Sequence, residues 1–268
     1  MDFPTTYGPG FVESLGSGTV VANVAAHTKG AYVDVVASTS MDYDGLLIQA
    51  TGGTIPLNFL VDIAVGPAAS EQIILADFHL SNITRLNQWI HIPMSIPSGS
   101  RISARGQCPT GSTQTVVTAH GVRNGFLGVP PGGSISTLGA VTATTLGTAI
   151  DPGAAANTYG AWVPLAASVS SDIVAIMPVL GSKRNTAPQD TFGSAFSLQI
   201  GVGAAASEQV VWGPLSFGSN AIGLYGPLPF MWLPASIPAG SRVAARAKCS
   251  HTDATDRLFD LVIYALTI

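Results

Sequence analysis

Ile63-Ala-Val-Gly-Pro-Ala-Ala-Ser-Glu-Gln72 returns later in the chain as Ile200-Gly-Val-Gly-Ala-Ala-Ala-Ser-Glu-Gln209, identical at all but two of ten positions. A second block, from Pro93 to Cys108, returns from Pro234 to Cys249 with Ser-Ile-Pro-x-Gly-Ser-Arg at its head and Ala-Arg before the cysteine in both. A weaker echo pairs His27-Thr-Lys-Gly-Ala-Tyr-Val33 with Asn157-Thr-Tyr-Gly-Ala-Trp-Val163. The order of the blocks is kept while the offset grows from 130 to 137 to 141. Repetition at this period reads as one structural unit present twice. The growing offset places longer insertions in the second copy, at 181–191 and 216–226, on surface loops.

Outward from these blocks, the first copy consists of short runs rich in β-branched and aromatic residues: 19–25, 31–37, 46–50, 59–65, 71–76, 89–94, 100–108 and 115–119. Most are bounded by Gly, Pro, Ser, Asn or Asp, and no stretch keeps a 3.6-residue apolar period. Val61, Ile63 and Val65 fall on one strand face, as do Ile102, Ala104 and Gly106, opposite Arg101, Ser103, Arg105 and Gln107. The Ser-Ile-Pro-x-Gly-Ser-Arg words specify a tight reversal before the arginine strand. The expected fold is all-β: two tandem homologous β-sandwiches of jelly-roll type, with an immunoglobulin-like sandwich as the alternative.

The boundaries follow from composition: an arm at 1–13, a first sandwich at 14–121, a Gly/Pro-rich linker at 122–141 around Pro130-Pro131-Gly132-Gly133, and a second sandwich at 142–268. Cys108 and Cys249 are repeat equivalents, which predicts one buried strand position used twice and no bond between them.

Charged residues make up 10% of the chain, against about 25% in ordinary globular proteins. A surface this neutral predicts burial in an assembly, hence homo-oligomerisation. A net charge of −4 without clustered Lys and Arg argues against nucleic acid. No apolar run reaches the length of a membrane span. Met1-Asp2-Phe3-Pro4 opens without a basic and apolar leader, predicting synthesis in the host cytoplasm.

Chemistry-bearing patterns are sparse. His27, His79, His91, His120 and His251 form no spaced metal motif, and no G-x-S-x-G elbow surrounds a serine. Asp42-x-Asp44-Gly45 reads as a turn rather than a calcium loop. Two cysteines are too few for a disulfide scaffold or a thiolate zinc site. The expectation is a protein without catalytic residues, metal or cofactor. Glu71 and Glu208 are repeated charges in a charge-poor chain, and the strand pattern pairs each with the matching Arg105 or Arg246. Tyr32, Trp89 and Trp162 are candidate contact aromatics. The cluster Trp212, Tyr225, Phe230 and Trp232 is the candidate interaction surface, including for a host glycan.

The words Lys29-Gly30-Ala31-Tyr32-Val33, Ala37-Ser38-Thr39-Ser40, Val-Gly-x-Ala-Ala-Ser-Glu-Gln and Ile-Pro-x-Gly-Ser-Arg-x-x-Ala-Arg resemble those of tailed-phage virion proteins of the capsid-decoration, head-spike and tail-fibre type. The resemblance implies a virion component whose partners are other capsid or tail proteins, and it carries no catalytic residues to transfer. Three functions follow in order: a decoration or cement protein on a capsid, a fibre or spike module that touches host glycans, and a hydrolase built on a β-sandwich.

Overall fold

The computed structural model describes residues 11–16, 18–22, 25–52, 58–81, 88–111, 113–123, 133–184, 194–220, 223–225, 232–251 and 258–267. In chain order the first half runs β1 (Phe11–Ser14), β2 (Thr19–Ala22), β3 (Val33–Val36), β4 (Gly45–Gly52), β5 (Asn58–Val65), β6 (Gln72–Ser81), β7 (Gln88–Ile92), β8 (Ile102–Gln107) and β9 (Gln114–Arg123). The second runs β10 (Ser134–Leu138), β11 (Ala140–Val141), β12 (Leu146–Ile150), β13 (Val163–Ala166), β14 (Ile173–Arg184), β15 (Ser194–Val202), β16 (Gln209–Asn220), β17 (Gly223–Tyr225), β18 (Leu233–Ile237), β19 (Val243–Cys249) and β20 (Leu258–Thr267).

All pairing is antiparallel and stays within each half. In the first half, β2–β9–β4–β7 forms one sheet and β3–β8–β5–β6 the other; in the second, β12–β20–β14–β18 faces β13–β19–β15–β16. This is the strand order of an eight-stranded jelly roll, read twice. The outer edge strand is interrupted in both halves, as β1 and β2 along β9 and as β10 and β12 along β20.

The repeated words make the same bonds in both places. His27 and Asn157 have φ of 54° and 59°, and their amides donate to the carbonyls of Cys108 and Cys249. Asp42 Oδ1 accepts from the Ser98 amide and Asp172 Oδ1 from the Ala239 amide, each at 2.7 Å, so these aspartates pin the turn before the arginine strand. Gly99 and Gly240, with φ of 81° and 82°, supply that turn's left-handed residue. Cys108 and Cys249 are buried and carry thiols, not a disulfide.

Alternation supplies the cores. Val61 and Ile63 pack inward with Leu75, Phe78, Ile102 and Ala104 in the first half; Leu198, Ile200, Val243, Ala245 and Phe259 do so in the second. The halves then share an interior. On β20, Phe259, Leu261, Ile263 and Ala265 face the second sandwich's own core, whereas Val262, Tyr264 and Leu266 join the first core with Met177 and Trp232. A sheet with both faces apolar and covered is stabilised at about 25 cal/mol per Å² of apolar surface withdrawn from water.

The seam is also hydrogen-bonded. Tyr264 Oη accepts from the His79 amide at 2.7 Å and donates to the Asp77 carbonyl at 3.0 Å, and Thr137 Oγ1 donates to the Ala76 carbonyl. Gln107 Nε2 reaches the Thr142 carbonyl at 2.7 Å and Thr145 Oγ1 at 2.9 Å. At Gly181 an added Cβ would stand 2.5 Å from the His79 ring, so the close approach of the halves requires glycine there.

Three expected boundaries shift. Residues 11–13 of the expected arm belong to β1, residues 122–123 of the expected linker end β9, and residues 134–138 and 140–141 of that linker form β10 and β11, because Ser-Ile-Ser-Thr-Leu has strand alternation and pairs along β20. Residues 124–132 lie outside the described residues. Of the expected insertions, 181–184 extend β14 and 216–220 extend β16, so strand lengthening accounts for part of the offset.

Candidate functional site

The outer face of the β3–β8–β5–β6 sheet collects much of the first half's charge. Outward-facing Arg105 on β8 stands opposite Asp62 on β5, and its Nε donates to Asp62 Oδ2 at 2.9 Å. Lys29 Nζ bridges Asp62 Oδ1 at 2.6 Å and Asp77 Oδ1 at 2.8 Å, while the Asp77 amide donates to Asp62 Oδ1 at 3.0 Å. The Tyr32 ring lies 4.6 Å from the Arg105 guanidinium carbon. Burial pushes the Tyr32 phenol above its ordinary pKa, and the Arg105 charge opposes that rise. Asp62 is almost wholly buried, with 4% of its side chain exposed, and is neutralised on both oxygens.

Glu71 does not pair with Arg105, nor Glu208 with Arg246. Glu71 Oε1 takes Arg101 Nη1 at 3.0 Å, with Asp34 on Arg101 Nε at 2.6 Å, and Glu208 takes Arg242. The register explains the correction. Val65 at the end of β5 pairs with Ile102, so the hairpin that carries Glu71 sits beside the start of β8, whereas Arg105 lies level with Asp62. Backbone hydrogen bonding and Arg101 hold the Glu71 carboxyl below its usual range. For Glu208, burial raises the pKa, but its backbone amide and Arg242 outweigh it, so the net shift is downward.

The second sandwich repeats this face with different chemistry. The repeat aligns Lys29 with Tyr159, Tyr32 with Trp162, Asp62 with Gln199 and Gln107 with Lys248, and β16 aligns Asp77 with Pro214; only the arginine is kept, as Arg246. Arg246 Nε donates to Gln199 Oε1 at 2.9 Å. Its guanidinium carbon lies 4.5 Å from the Trp162 ring centre and 4.8 Å from that of Tyr159, and Lys248 Nζ lies 5.2 Å from Tyr159. Trp162 approaches the sheet over Gly201, where an added Cβ would stand 2.7 Å from the ring. Beside this stack opens a cavity of about 470 Å³ bordered by Asn157, Ser197, Ser216, Lys248 and Ser250.

Of the expected aromatic surface, the structure places the side chains of Trp212 and Trp232, and Trp232 is not at the surface. Trp232 is buried at the seam, 9% exposed, with Nε1 donating to the His91 carbonyl at 3.0 Å. The Trp212 indole donates to the Pro234 carbonyl. Tyr225 lies on β17 opposite Gly218, and Phe230 lies outside the described residues. Trp162 joins a cation–aromatic stack, and Tyr159, which sequence reasoning passed over, completes it. The signal was the exchange of Lys29 and Asp62 for Tyr159 and Gln199 at repeat-equivalent positions. Among the described residues no group of three or more His, Cys, Asp or Glu could hold a metal ion. His27 Nδ1 contacts Thr145 Oγ1 at 2.9 Å, part of the seam.

No protein-family model and no curated protein sequence matches the chain. Among solved structures, PNGF-II is similar at 8% identity and a TM-score of 0.38, over 96% of this chain and 65% of that one, so the chain spans less than two thirds of its length. PNGase F, a glycosylasparaginase from Flavobacterium meningosepticum, is similar at 10% identity and a TM-score of 0.39, over 97% of this chain and 96% of that one. Cowpea mosaic virus top component is similar at 9% identity and a TM-score of 0.32, over 95% and 89%.

Proposed function

We infer that the chain is a non-enzymatic structural protein of a virion, a capsid decoration that stabilises the particle through symmetric contacts with other capsid proteins and with copies of itself. The observation that carries this reading is an apolar residue exposed at the same place in both sandwiches. Ile73 and Val210, each the second residue of its strand, β6 or β16, are 47% and 43% exposed beside hairpins that share the words Ala-Ala-Ser-Glu-Gln. Large apolar side chains left in water twice, on a surface with few charges, favour a partner that covers both.

The charge arrangement supports the same reading. Lys29, Asp62, Asp77 and Arg105 neutralise one another, and Arg101 is shared between Asp34 and Glu71, so the first sandwich pairs these ions internally. The alternative is a tail-fibre or head-spike module that binds host-surface glycans, and the cation–aromatic face of the second sandwich is what favours it.

Electron microscopy and thermal rupture of particles made with and without the chain test the reading. The expected result is a lower rupture temperature without it and regular density on the capsid with it. Particles that rupture at an unchanged temperature and fail to adsorb to cells would transfer the role to the glycan-binding module.

A further inference from the structure

The first sandwich shows this outer face in a closed state. There Gln107 is covered by Thr142 and Thr145 of the second half, and Arg105 is neutralised by Asp62. In the second sandwich the position of Gln107 is Lys248, which lines an open cavity, and the position of Asp62 is Gln199, which accepts from Arg246 without removing its charge. Among the described residues neither Arg246 nor Lys248 has a carboxylate partner.

The arginine is already shaped for a ligand. Its guanidinium lies over the rings of both Trp162 and Tyr159 and its Nε donates to Gln199, while its two amino groups carry no hydrogen bond among the described residues. A clamped guanidinium presents a fork that matches a carboxylate and loses little rotamer freedom on binding. Lys248 follows two residues later on the same face of β19, about 6.5 Å along the strand, within reach of the same acid group. The cavity beside them is bordered by the Asn157 side chain and by the hydroxyls of Ser197 and Ser216, while the Ser250 hydroxyl is taken by the Ala195 amide and His251. Its volume, about 470 Å³, lies within the range of roughly 300–1,000 Å³ typical of small-ligand sites. Neutral donors and acceptors beside the half-buried rings of Tyr159 and Trp162 suit the hydroxyls of a sugar ring, and two cations suit one acid group rather than a phosphate polymer.

We propose that the outer face of the second sandwich binds a carboxylate-bearing sugar, with Arg246 and Lys248 holding the acid and the cavity reading the ring. This goes beyond a structural role and does not depend on it, since the site is complete within one chain.

Titration calorimetry and saturation-transfer NMR on the full chain at low salt, with 3′-sialyllactose, a glucuronic acid-terminated disaccharide, lactose and acetate as probes, test it. At least one acidic saccharide should bind tenfold or more tightly than lactose or acetate. Lys248→Gln should weaken that binding at least tenfold with little change in the melting curve, because the Lys248 ammonium makes no hydrogen bond or ion pair among the described residues and touches only the Tyr159 ring. Gln199→Asp should do the same by restoring the ion pair of the first sandwich. Equal affinity for lactose, equal affinity for acetate, full binding by the Lys248→Gln variant, or no binding of either acidic saccharide would each overturn the proposal.

Discussion

The indole N–H of Trp232 donates to the backbone carbonyl of His91, 3.0 Å away, and joins the last strand of one sheet in the first sandwich to the segment before β18 in the second. Trp232 also belongs to the first sandwich's core, so the bond sits inside packed apolar surface. Trp232→Phe removes the donor and leaves the carbonyl buried, at an expected cost of about 1–2 kcal/mol. Trp232→Ala adds a cavity, for about 3–4 kcal/mol in total. Urea unfolding followed by circular dichroism measures both, and equal midpoints for the two variants and wild type would disprove the role of the seam.

Tyr264 supports the same seam from the other side. Its hydroxyl serves the His79 amide and the Asp77 carbonyl, and burial pushes its pKa up, so it stays protonated and keeps donating. Tyr264→Phe strands both backbone groups and is expected to destabilise the fold by about 2 kcal/mol. Hydrogen exchange of the His79 amide, faster in the variant than at neighbouring core amides, is the local readout.

Asp62→Asn leaves Lys29 and Arg105 without their shared carboxylate in a nearly buried setting. The expected loss is about 2–3 kcal/mol, less than for a fully enclosed pair because Arg105 is partly solvated. The corresponding change in the second sandwich, Gln199→Ala, removes only a neutral bond to Arg246 and should cost about 1 kcal/mol. A larger loss at Gln199 than at Asp62 would contradict the reading of the two faces.

Acid stability follows from His91. Burial lowers its pKa from the ordinary 6.5 to about 4, and its Nδ1 has no hydrogen-bond partner among the described residues. The folded state therefore refuses a proton that the unfolded chain accepts, so stability is full above about pH 6.5 and falls as the pH drops toward 4, by about 3 kcal/mol at the lower limit. Glu71 and Glu208, held below their usual range, add losses that begin at more acid pH. Chemical denaturation from pH 8 to 4 should show this slope, and His91→Gln should flatten it between pH 6.5 and 4.

The eight strands of the first sandwich were legible because β-branched runs alternate with turn residues, and the tight reversal was legible because Pro97 and Gly99 admit few conformations. Less legible was anything set by another part of the chain. Ala69 and Ala206 take φ of 64° and 63° at the hairpin tips, a conformation alanine adopts only because the repeated hairpin imposes it. Ser134 to Leu138 read as a linker because its partner, β20, lies more than a hundred residues away. Arg105 was assigned to Glu71 because strand alternation gives the face but not the register, and a shift of four residues along that face decides between Arg101 and Arg105. Trp232 was expected at a surface for the same reason: the sequence marks a tryptophan as valuable without saying whether the seam or the solvent receives it.

Because β20 lines both interiors, the sandwiches cannot swing against one another without opening a core. Ile73 and Val210 therefore stand at an invariant interval and angle. A partner that grips both must offer two footholds at the same spacing, a demand that a periodic lattice satisfies at every step and an irregular surface only by accident.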